Sequence, residues 1–392
     1  MKDVAIVAYG RTAIAKAQRG ALNQTHGIPL AAHVLRGVVE RAEGIDPAEI
    51  EDVVLGCGLP EGATGHNIGR TAALEAFGIG VPGMTINRYC GSGLTAASIV
   101  ANRIATGEAQ VAIAGGVESI SLVQFNLNLN NFFYAPLQQR MPAVWWTMNQ
   151  TADFVAAKYG ITREAQDAYV VQSQARVADA QARGIYAAEI LPLTTTMKVT
   201  DKATKAVTEQ AVTLDRDEGP RPGTTLEALA ALKPVFPGGT VTAGNASQLS
   251  DGAAALVMMD ADLAARRGLP ILGLFRGMQL AAVAPEEMSI AYTPAIRKLL
   301  AHHAIAMQDV DLWELHEAYA VTTLYNQQQL ETPWETTNVN GGAVALGHPY
   351  GMSGIRYAGS TLLELARRNK KRAVIGVCTA GGMATAALVE RP

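Results

Sequence analysis

Thr85-Ile86-Asn87-Arg88-Tyr89-Cys90-Gly91-Ser92-Gly93-Leu94-Thr95-Ala96-Ala97 passes from a β-type segment, through small residues, into an alanine-rich helical pattern with a thiol at the turn. Strand, turn and helix in that order form the repeating unit of layered α/β folds. A thiol at such a turn meets free backbone N–H groups and the positive end of the helix dipole, which favour its thiolate. Gly91 and Gly93 leave room for an acyl group and its carrier to approach the sulfur. From this stretch alone a buried, inert cysteine is an equal alternative, because free cysteine is among the most buried residue types.

Three compact polar signals lie far downstream. They are Trp313-Glu314-Leu315-His316-Glu317-Ala318-Tyr319, Asn340-Gly341-Gly342-Ala343-Val344-Ala345-Leu346-Gly347-His348-Pro349, and Val374-Ile375-Gly376-Val377-Cys378-Thr379-Ala380-Gly381-Gly382-Met383. Each taken singly suits a core residue or an ordinary turn. Together with Cys90 they supply two cysteines and two histidines beside turn signals at the ends of apolar runs. A nucleophilic thiol needs a base, and a second group must move protons on the substrate.

Cys90-Gly-Ser-Gly, His316-Glu-Ala-Tyr, Gly347-His348-Pro349 and Cys378-Thr-Ala-Gly-Gly resemble the motifs of the thiolase family, the acyl-CoA C-acyltransferases. Ala243-Gly244-Asn245-Ala246-Ser247, followed by Asp251-Gly252-Ala253-Ala254, adds a further family signature, and the resemblance runs from Met1 to Pro392. Two positions depart from the common pattern. Most thiolases carry Asn where His316 stands, although a subgroup that includes the fatty-acid β-oxidation enzymes has His. The usual three glycines after the second cysteine read Ala380-Gly381-Gly382 here, which also resembles that subgroup.

Val/Ile-rich runs alternate with alanine-rich helical patterns along most of the chain, which indicates an α/β class. Strands are predicted at Val4–Ala8, Asp52–Leu55, Met84–Asn87, Val111–Ala114, Ala254–Met259, Ile271–Phe275, Leu312–Leu315, Thr337–Asn340, Ala373–Cys378 and Ala386–Glu390. Helices are predicted near Pro29–Ala42, Gly69–Phe77, Leu94–Thr106, Pro294–His303, Glu317–Gln329 and Gly354–Arg368. Asn87–Ala97 and Asn340–Ser353 form a weak internal repeat, which implies two similar halves with chemistry at the strand C-termini. The resemblance implies the same: two βαβαβαββ halves in a five-layered α/β/α/β/α core with an inserted loop domain. On that basis residues 1–118 and 244–267 form the N-terminal half, 119–243 the loop domain covering CoA, and 268–392 the C-terminal half. The inserted stretch is rich in Asn, Gln, Thr and Pro and holds one strong helix signal, with Thr162 as N-cap of Arg163-Glu164-Ala165.

With 392 residues, 49% apolar and 17% charged, the chain is long enough for two core units. A net charge of −3 and no concentrated basic block argue against nucleic-acid binding. The cluster Arg367, Arg368, Lys370, Lys371, Arg372 suits a helix C-terminus. Three cysteines and no apolar run of membrane-spanning length point to a reducing compartment, the cytoplasm by default, with no membrane insertion. Cys57, with no histidine motif beside it, reads as packing. The seven histidines and three cysteines show no paired metal-ligand spacing, so no metal and no cofactor is expected beyond coenzyme A as substrate and product.

The resemblance also implies roles. Cys90 matches the acylated nucleophile, His348 its base, and Cys378 the acid/base for the α-carbon. His316 takes the place of the Asn that holds an oxyanion-site water; it either holds that water or donates its own ring N–H. The backbone N–H groups of Cys90 and Ala380 match a second oxyanion hole. Ser247 matches a contact to the pantetheine arm, and Arg221 lies in the region near the CoA nucleotide. Glu317 is expected to order its loop. The implied partners are acyl-CoA, CoA and further copies of the chain, as a homodimer or homotetramer. The His316 and Ala380 variants lean toward the degradative, longer-chain side, while overall length resembles acetoacetyl-CoA enzymes.

Three other readings compete. Gly91-Ser92-Gly93-Leu94-Thr95-Ala96 fits a dinucleotide-binding G-x-G-x-x-A, but that pattern is weak and leaves Cys90, His348 and Cys378 idle. A β-ketoacyl synthase-like condensing enzyme shares the nucleophile but has no use for Cys378. A non-catalytic acyl-CoA or lipid-binding homologue is expected to have lost one of the four motifs, and none is lost.

Overall fold

The structure, a computed structural model, describes residues 2–392. Twelve strands are present: β1 Val4–Arg11, β2 Ala15–Lys16, β3 Val53–Gly56, β4 Gly83–Ile86, β5 Val111–Glu118, β6 Leu193–Thr200, β7 Val207–Leu214, β8 Ser250–Asp260, β9 Gly273–Ala282, β10 Leu312–Leu315, β11 Arg372–Thr379 and β12 Met383–Glu390. All but β6 and β7 belong to one sheet, in the order β10-β11-β12-β9-β1-β8-β5-β3-β4, with β2 beside β8. The two halves repeat one plan. β4-β3-β5 run parallel and β8 and β1 antiparallel in the first half, while β10-β11 run parallel and β12 and β9 antiparallel in the second. They join edge to edge through Ala5↔Leu274 and Ile6↔Gly273.

Two helices, Ser92–Thr106 and Tyr350–Arg367, lie between the halves and touch strands of both. Helices Gly27–Arg41 and Ile68–Phe77 cover the outer face of the first half, and Tyr292–His303 covers that of the second. This is the five-layered α/β/α/β/α arrangement. The central strands read as apolar runs rather than alternating ones because helices bury both of their faces, as along fully buried β5 and β8.

Contact between the two central helices depends on glycine. A Cβ on Gly354 would stand 2.5 Å from the backbone nitrogen of Leu94, and one on Gly93 would stand 2.7 Å from the carbonyl oxygen of Gly351. The backbones therefore touch, and both helix N-termini open on the same side.

The predicted strand Thr337–Asn340 is not formed. Only Thr337 bridges Trp313, in parallel, and Asn338 turns to a φ of +46°. Its side chain replaces the missing ladder: Leu315 N–H donates to Asn338 Oδ1 at 2.7 Å, and Nδ2 donates to the Leu315 carbonyl at 2.8 Å. Helix Ala320–Leu330 starts three residues later than expected, because Glu317–Tyr319 are drawn into the site. Helix Tyr350–Arg367 starts four residues earlier, directly after Pro349. Asn340–Ser353 thus holds a short helix, Ala343–Leu346, in place of the strand that the internal repeat required.

The segment 119–243 contains more structure than its composition suggested. Besides Arg163–Ala182, capped by Thr162 as expected, it holds helix Met148–Tyr159 and the hairpin β6–β7. The period-2 run Leu193-Thr-Thr-Thr-Met-Lys-Val-Thr200 was the available signal: Leu193 and Met197 pack on the main core while their neighbours face out. A buried ion cluster ties the segment down, with Arg11 reaching Asp217 at 2.6 Å and Glu189 at 3.0 Å. The basic cluster near the C-terminus is engaged in ion pairs. Arg367 and Arg368 hold Glu364 at 2.7 and 2.5 Å, and Arg372 holds Glu390 at 2.6 Å. No helix among the described residues is long and apolar enough to cross a membrane.

Replacing Gly354 with Ala is expected to lower unfolding stability by about 1–3 kcal/mol through overpacking. Denaturant titration checks this, and an unchanged midpoint would refute the close contact.

Candidate active site

Each polar motif sits where a strand or helix ends. Cys90 follows β4 in a single turn, Tyr89–Gly91, that leads into the central helix Ser92–Thr106. Tyr89 takes a φ of +47°, unfavourable for a bulky residue. Neighbours hold the elbow: Tyr89 N–H donates to Asn87 Oδ1 at 2.7 Å, Arg88 N–H to Ser92 Oγ at 2.8 Å, and Ser92 Oγ to the Tyr89 carbonyl at 2.6 Å. His348 immediately precedes the other central helix, and its N–H donates to the Gln248 carbonyl at 2.9 Å. His316 follows β10 and donates its N–H to the Gly376 carbonyl at 2.8 Å, two residues before Cys378 on the parallel neighbour β11.

The glycine-mediated contact of the central helices brings these ends together. Cys90 Sγ and one ring nitrogen each of His316 and His348 lie within 4.8 Å of one another. The two imidazoles overlap with centroids 4.2 Å apart. The sequence shows no metal-ligand spacing, yet the fold gathers three donors of metal-ligating type here. Cys90, His348, Cys378, Ala380 and Ser247 line one cavity of about 270 Å³ together with Leu59, Leu127, Met148, Met288 and the tyrosines Tyr89, Tyr319 and Tyr350. His316 is not among the lining residues, but one of its ring nitrogens lies within 4.8 Å of Cys90 Sγ. Arg221 is elsewhere: it lines an adjacent cavity of about 260 Å³ with Gln174, Thr224, Gln248 and Val344. The strip Asn245–Leu249 separates the two cavities. It is pinned by Ser247 N–H to the Ala318 carbonyl at 2.9 Å and by the bridge Leu249↔His348.

Ser353, not singled out from the sequence, is placed to set the proton on His348. Ser353 Oγ lies 2.9 Å from the Pro349 carbonyl, which can only accept, and with its proton sent there it accepts at 2.7 Å from His348 Nδ1. In that arrangement His348 carries its proton on Nδ1, and its unpartnered Nε2 presents a lone pair. Its place five residues after His348, in the first turn of the helix that follows, was the only signal for this serine.

Desolvation governs the charges. Cys90 is partly open to solvent, yet burial, and then the charge of Glu118, push its thiol up to about 12, against the N–H groups of Cys90 and Ala380 that favour the thiolate. Burial, and then the Arg356 cation, lower His348 to about 3. Burial also lowers His316 far below the usual imidazole range and raises Cys378. The helix N-terminus thus does not make a resting thiolate; sulfur and imidazole face each other neutral. Glu118, buried and itself pushed up to about 7 by burial, accepts N–H bonds from Gly58, Leu59 and Gly351.

Ala380 is absent from the residues of positive φ, whereas Gly381 and Gly382 turn to +78° and +75°, so alanine is accommodated without strain. Glu317 is fully engaged, accepting from Tyr169 Oη at 2.6 Å, Ser173 Oγ at 3.0 Å, Asn338 Nδ2 at 3.0 Å and Val344 N–H at 3.1 Å. It clamps helix Arg163–Ala182 to the loop that carries His316. Cys57 is buried, with Sγ 3.7 Å from Glu118.

The match to known proteins follows the same lines. The family model for the thiolase N-terminal domain matches residues 4–262, and that for the thiolase C-terminal domain matches residues 269–391. The chain belongs to the thiolase family. It is similar to a 3-ketoacyl-CoA thiolase of Bacillus subtilis (39% identity, all of both chains) and to an acetyl-CoA acetyltransferase of Cupriavidus necator (39%, all of both). The peroxisomal 3-ketoacyl-CoA thiolase 5 of Arabidopsis thaliana is 41% identical over 99% of this chain and 85% of its own length. Among solved structures, the Bacillus anthracis acetyl-CoA acetyltransferase superposes with a TM-score of 0.89 at 35% identity, covering 100% of this chain and 99% of the other.

With the thiol near 12 and His348 near 3, raising pH from 6 to 9 ionises neither imidazole nor most of the sulfur. Alkylation of Cys90 by iodoacetamide is therefore expected to rise steadily across that window. A plateau at neutral pH would instead reveal a preformed thiolate–imidazolium pair.

Proposed function

We propose that the protein is an acyl-CoA C-acyltransferase that cleaves a 3-ketoacyl-CoA with CoA, or runs the reverse condensation of acetyl-CoA, through an acyl-enzyme on Cys90. The observation that supports this best is the convergence of Cys90, His348, Cys378 and Ala380 on one apolar cavity. In thiolysis His348 Nε2 takes the Cys90 proton as the sulfur attacks the 3-keto carbon. The carbon–carbon bond breaks, the electron pair leaves as the acetyl-CoA enolate, and Cys378, which burial keeps protonated, delivers its proton to that carbon. The CoA sulfur then attacks the Cys90 thioester and gives up its proton, which restores Cys378; the Cys90–acyl bond breaks, and the Cys90 sulfur takes back its proton from His348. The N–H groups of Cys90 and Ala380 serve the oxyanion of one step, and the His316–His348 pair serves the enolate oxygen of the other.

Ser247, on the wall of the reaction cavity, and Arg221, on the adjacent cavity, fit the pantetheine arm and the nucleotide end of CoA. The loop-domain segment supplies walls of both. Leucine, methionine and tyrosine around the sulfur suit an apolar acyl chain. No cofactor beyond CoA itself and no metal enters this scheme. Three free cysteines suit a reducing compartment such as the cytoplasm.

Label transfer tests the assignment. Cys90→Ala is expected to abolish covalent incorporation from radiolabelled acyl-CoA while retaining acyl-CoA binding. Cys378→Ala is expected to lose thiolysis but keep exchange between acetyl-CoA and free CoA, since acylation needs no α-proton transfer. Equal loss of both reactions would defeat its role. His316→Ala should cost about 2.7–4 kcal/mol, as loss of an oxyanion donor does, and His316→Asn less.

The assembly is read as a homodimer or homotetramer. β4 is the outermost strand of the sheet, and Phe125, Leu129, Phe132, Phe133 and Tyr134 stand exposed on one arm. Light scattering at micromolar concentration should give at least twice the chain mass; a monomer would exclude this.

A further inference from the structure

Seven histidines occur in the chain, and the two in the site are buried side by side with both Nε2 atoms unpartnered. Two identical imidazoles so close cannot do the same work. If both turned lone pairs inward there would be no donor for an oxyanion; if both turned N–H inward there would be no base for Cys90. The helix Tyr350–Arg367 carries hydroxyls at Ser353 and Tyr357, one turn apart on the same face, and each meets one histidine Nδ1.

Ser353 has a second acceptor in the Pro349 carbonyl, 2.9 Å away, so it can send its own proton there and accept from His348. Tyr357 is placed differently. Its Oη lies 2.5 Å from His316 Nδ1, and that nitrogen is the one acceptor within hydrogen-bond reach among the described residues. The residue is 1% exposed, out of contact with bulk solvent. If Nδ1 carried the proton, the phenol O–H would be a buried donor with no acceptor, and the His316 Nε2 lone pair would face the lone pair of His348. Donation from Tyr357 removes both conflicts. The Arg356 guanidinium, 4.3 Å from the Tyr357 ring centroid, further opposes a charged imidazolium at His316.

We propose that Tyr357 is a positioning residue that donates to His316 Nδ1 and so holds His316 as the Nε2–H tautomer, opposite to the Nδ1–H tautomer that Ser353 imposes on His348. His316 then presents a ring N–H to the enolate oxygen while His348 keeps its lone pair for Cys90. The catalytic consequence rests on the thiolase reading above; the tautomer itself does not. It also gives His316 a donor without a bound water, the role filled by an asparagine amide holding a water elsewhere in the family.

The test uses the full chain labelled with ¹⁵N-histidine. Long-range proton–nitrogen correlation is expected to show His316 Nδ1 in the unprotonated and Nε2 in the protonated range, with His348 reversed; His316→Asn assigns the signals. A protonated Nδ1 at His316 overturns the proposal. Tyr357→Phe should shift His316 toward mixed tautomers. It should also lower thiolysis kcat about tenfold or more, within the ~10²–10³ that a lost oxyanion donor costs, with little change in KM. In the His316→Asn background the same Tyr357→Phe change should alter kcat less than about twofold, since an amide has no tautomer to set. Equal losses in both backgrounds would mean that Tyr357 acts only through packing. If the wild-type chain thiolyses no 3-ketoacyl-CoA, the functional reading fails while the spectrum still decides the tautomer.

Discussion

The contact of two helix backbones across Gly93 and Gly354 is the constraint on which the rest of the site depends. A side chain at either position would hold the central helices apart by the width of a methyl group or more. Because each helix begins at one of the site's motifs, that separation would pass directly to Cys90 and His348. The duplicated sheet frames the contact: β5 and β8 on one side and β12 on the other pack on the same pair of helices. Cys378 and His316 enter from the strand ends of the second half, so the cavity is shared between both halves.

Burial is the second governing effect. The cavity takes thiols and imidazoles out of water, and the charged form of each is penalised. The result is a neutral site in which protons are held by Cys90 and Cys378 and the imidazoles remain uncharged. Such a site leaves charge to appear only as bonds change, where fixed N–H groups face it and little solvent must reorganise. Glu118 contributes to the same balance. It organises Gly58, Leu59 and Gly351 around the cavity and its charge opposes early ionisation of Cys90.

Glu317 carries out the corresponding task for the inserted segment. Four donors from helix Arg163–Ala182, Asn338 and Val344 converge on one carboxylate next to His316. The segment that walls both cavities and the loop carrying His316 are thereby one unit. Arg11, bonded to Asp217 and Glu189, fastens the other end of that segment to the first half.

Local patterns in the chain were enough to determine the α/β class, nine of the ten strands proposed, the central helices and the four motifs, since apolar runs and glycine turns act over a few residues. Thr337–Asn340 reads as a strand by the same rules and is not one, because the Asn338 side chain takes over the ladder from a left-handed backbone. The hairpin β6–β7 escaped notice because its threonines hide a weak period of two. What only tertiary structure decided is which groups meet. His316 and Tyr357 are 41 residues apart, and Glu317 and Tyr169 are 148 apart. Proton positions on the histidines likewise follow from where Ser353 and Tyr357 send their own hydrogens. The absence of a resting thiolate has the same origin: sequence shows a helix N-terminus beside Cys90, but the desolvation that outweighs it exists only once both halves close around the sulfur.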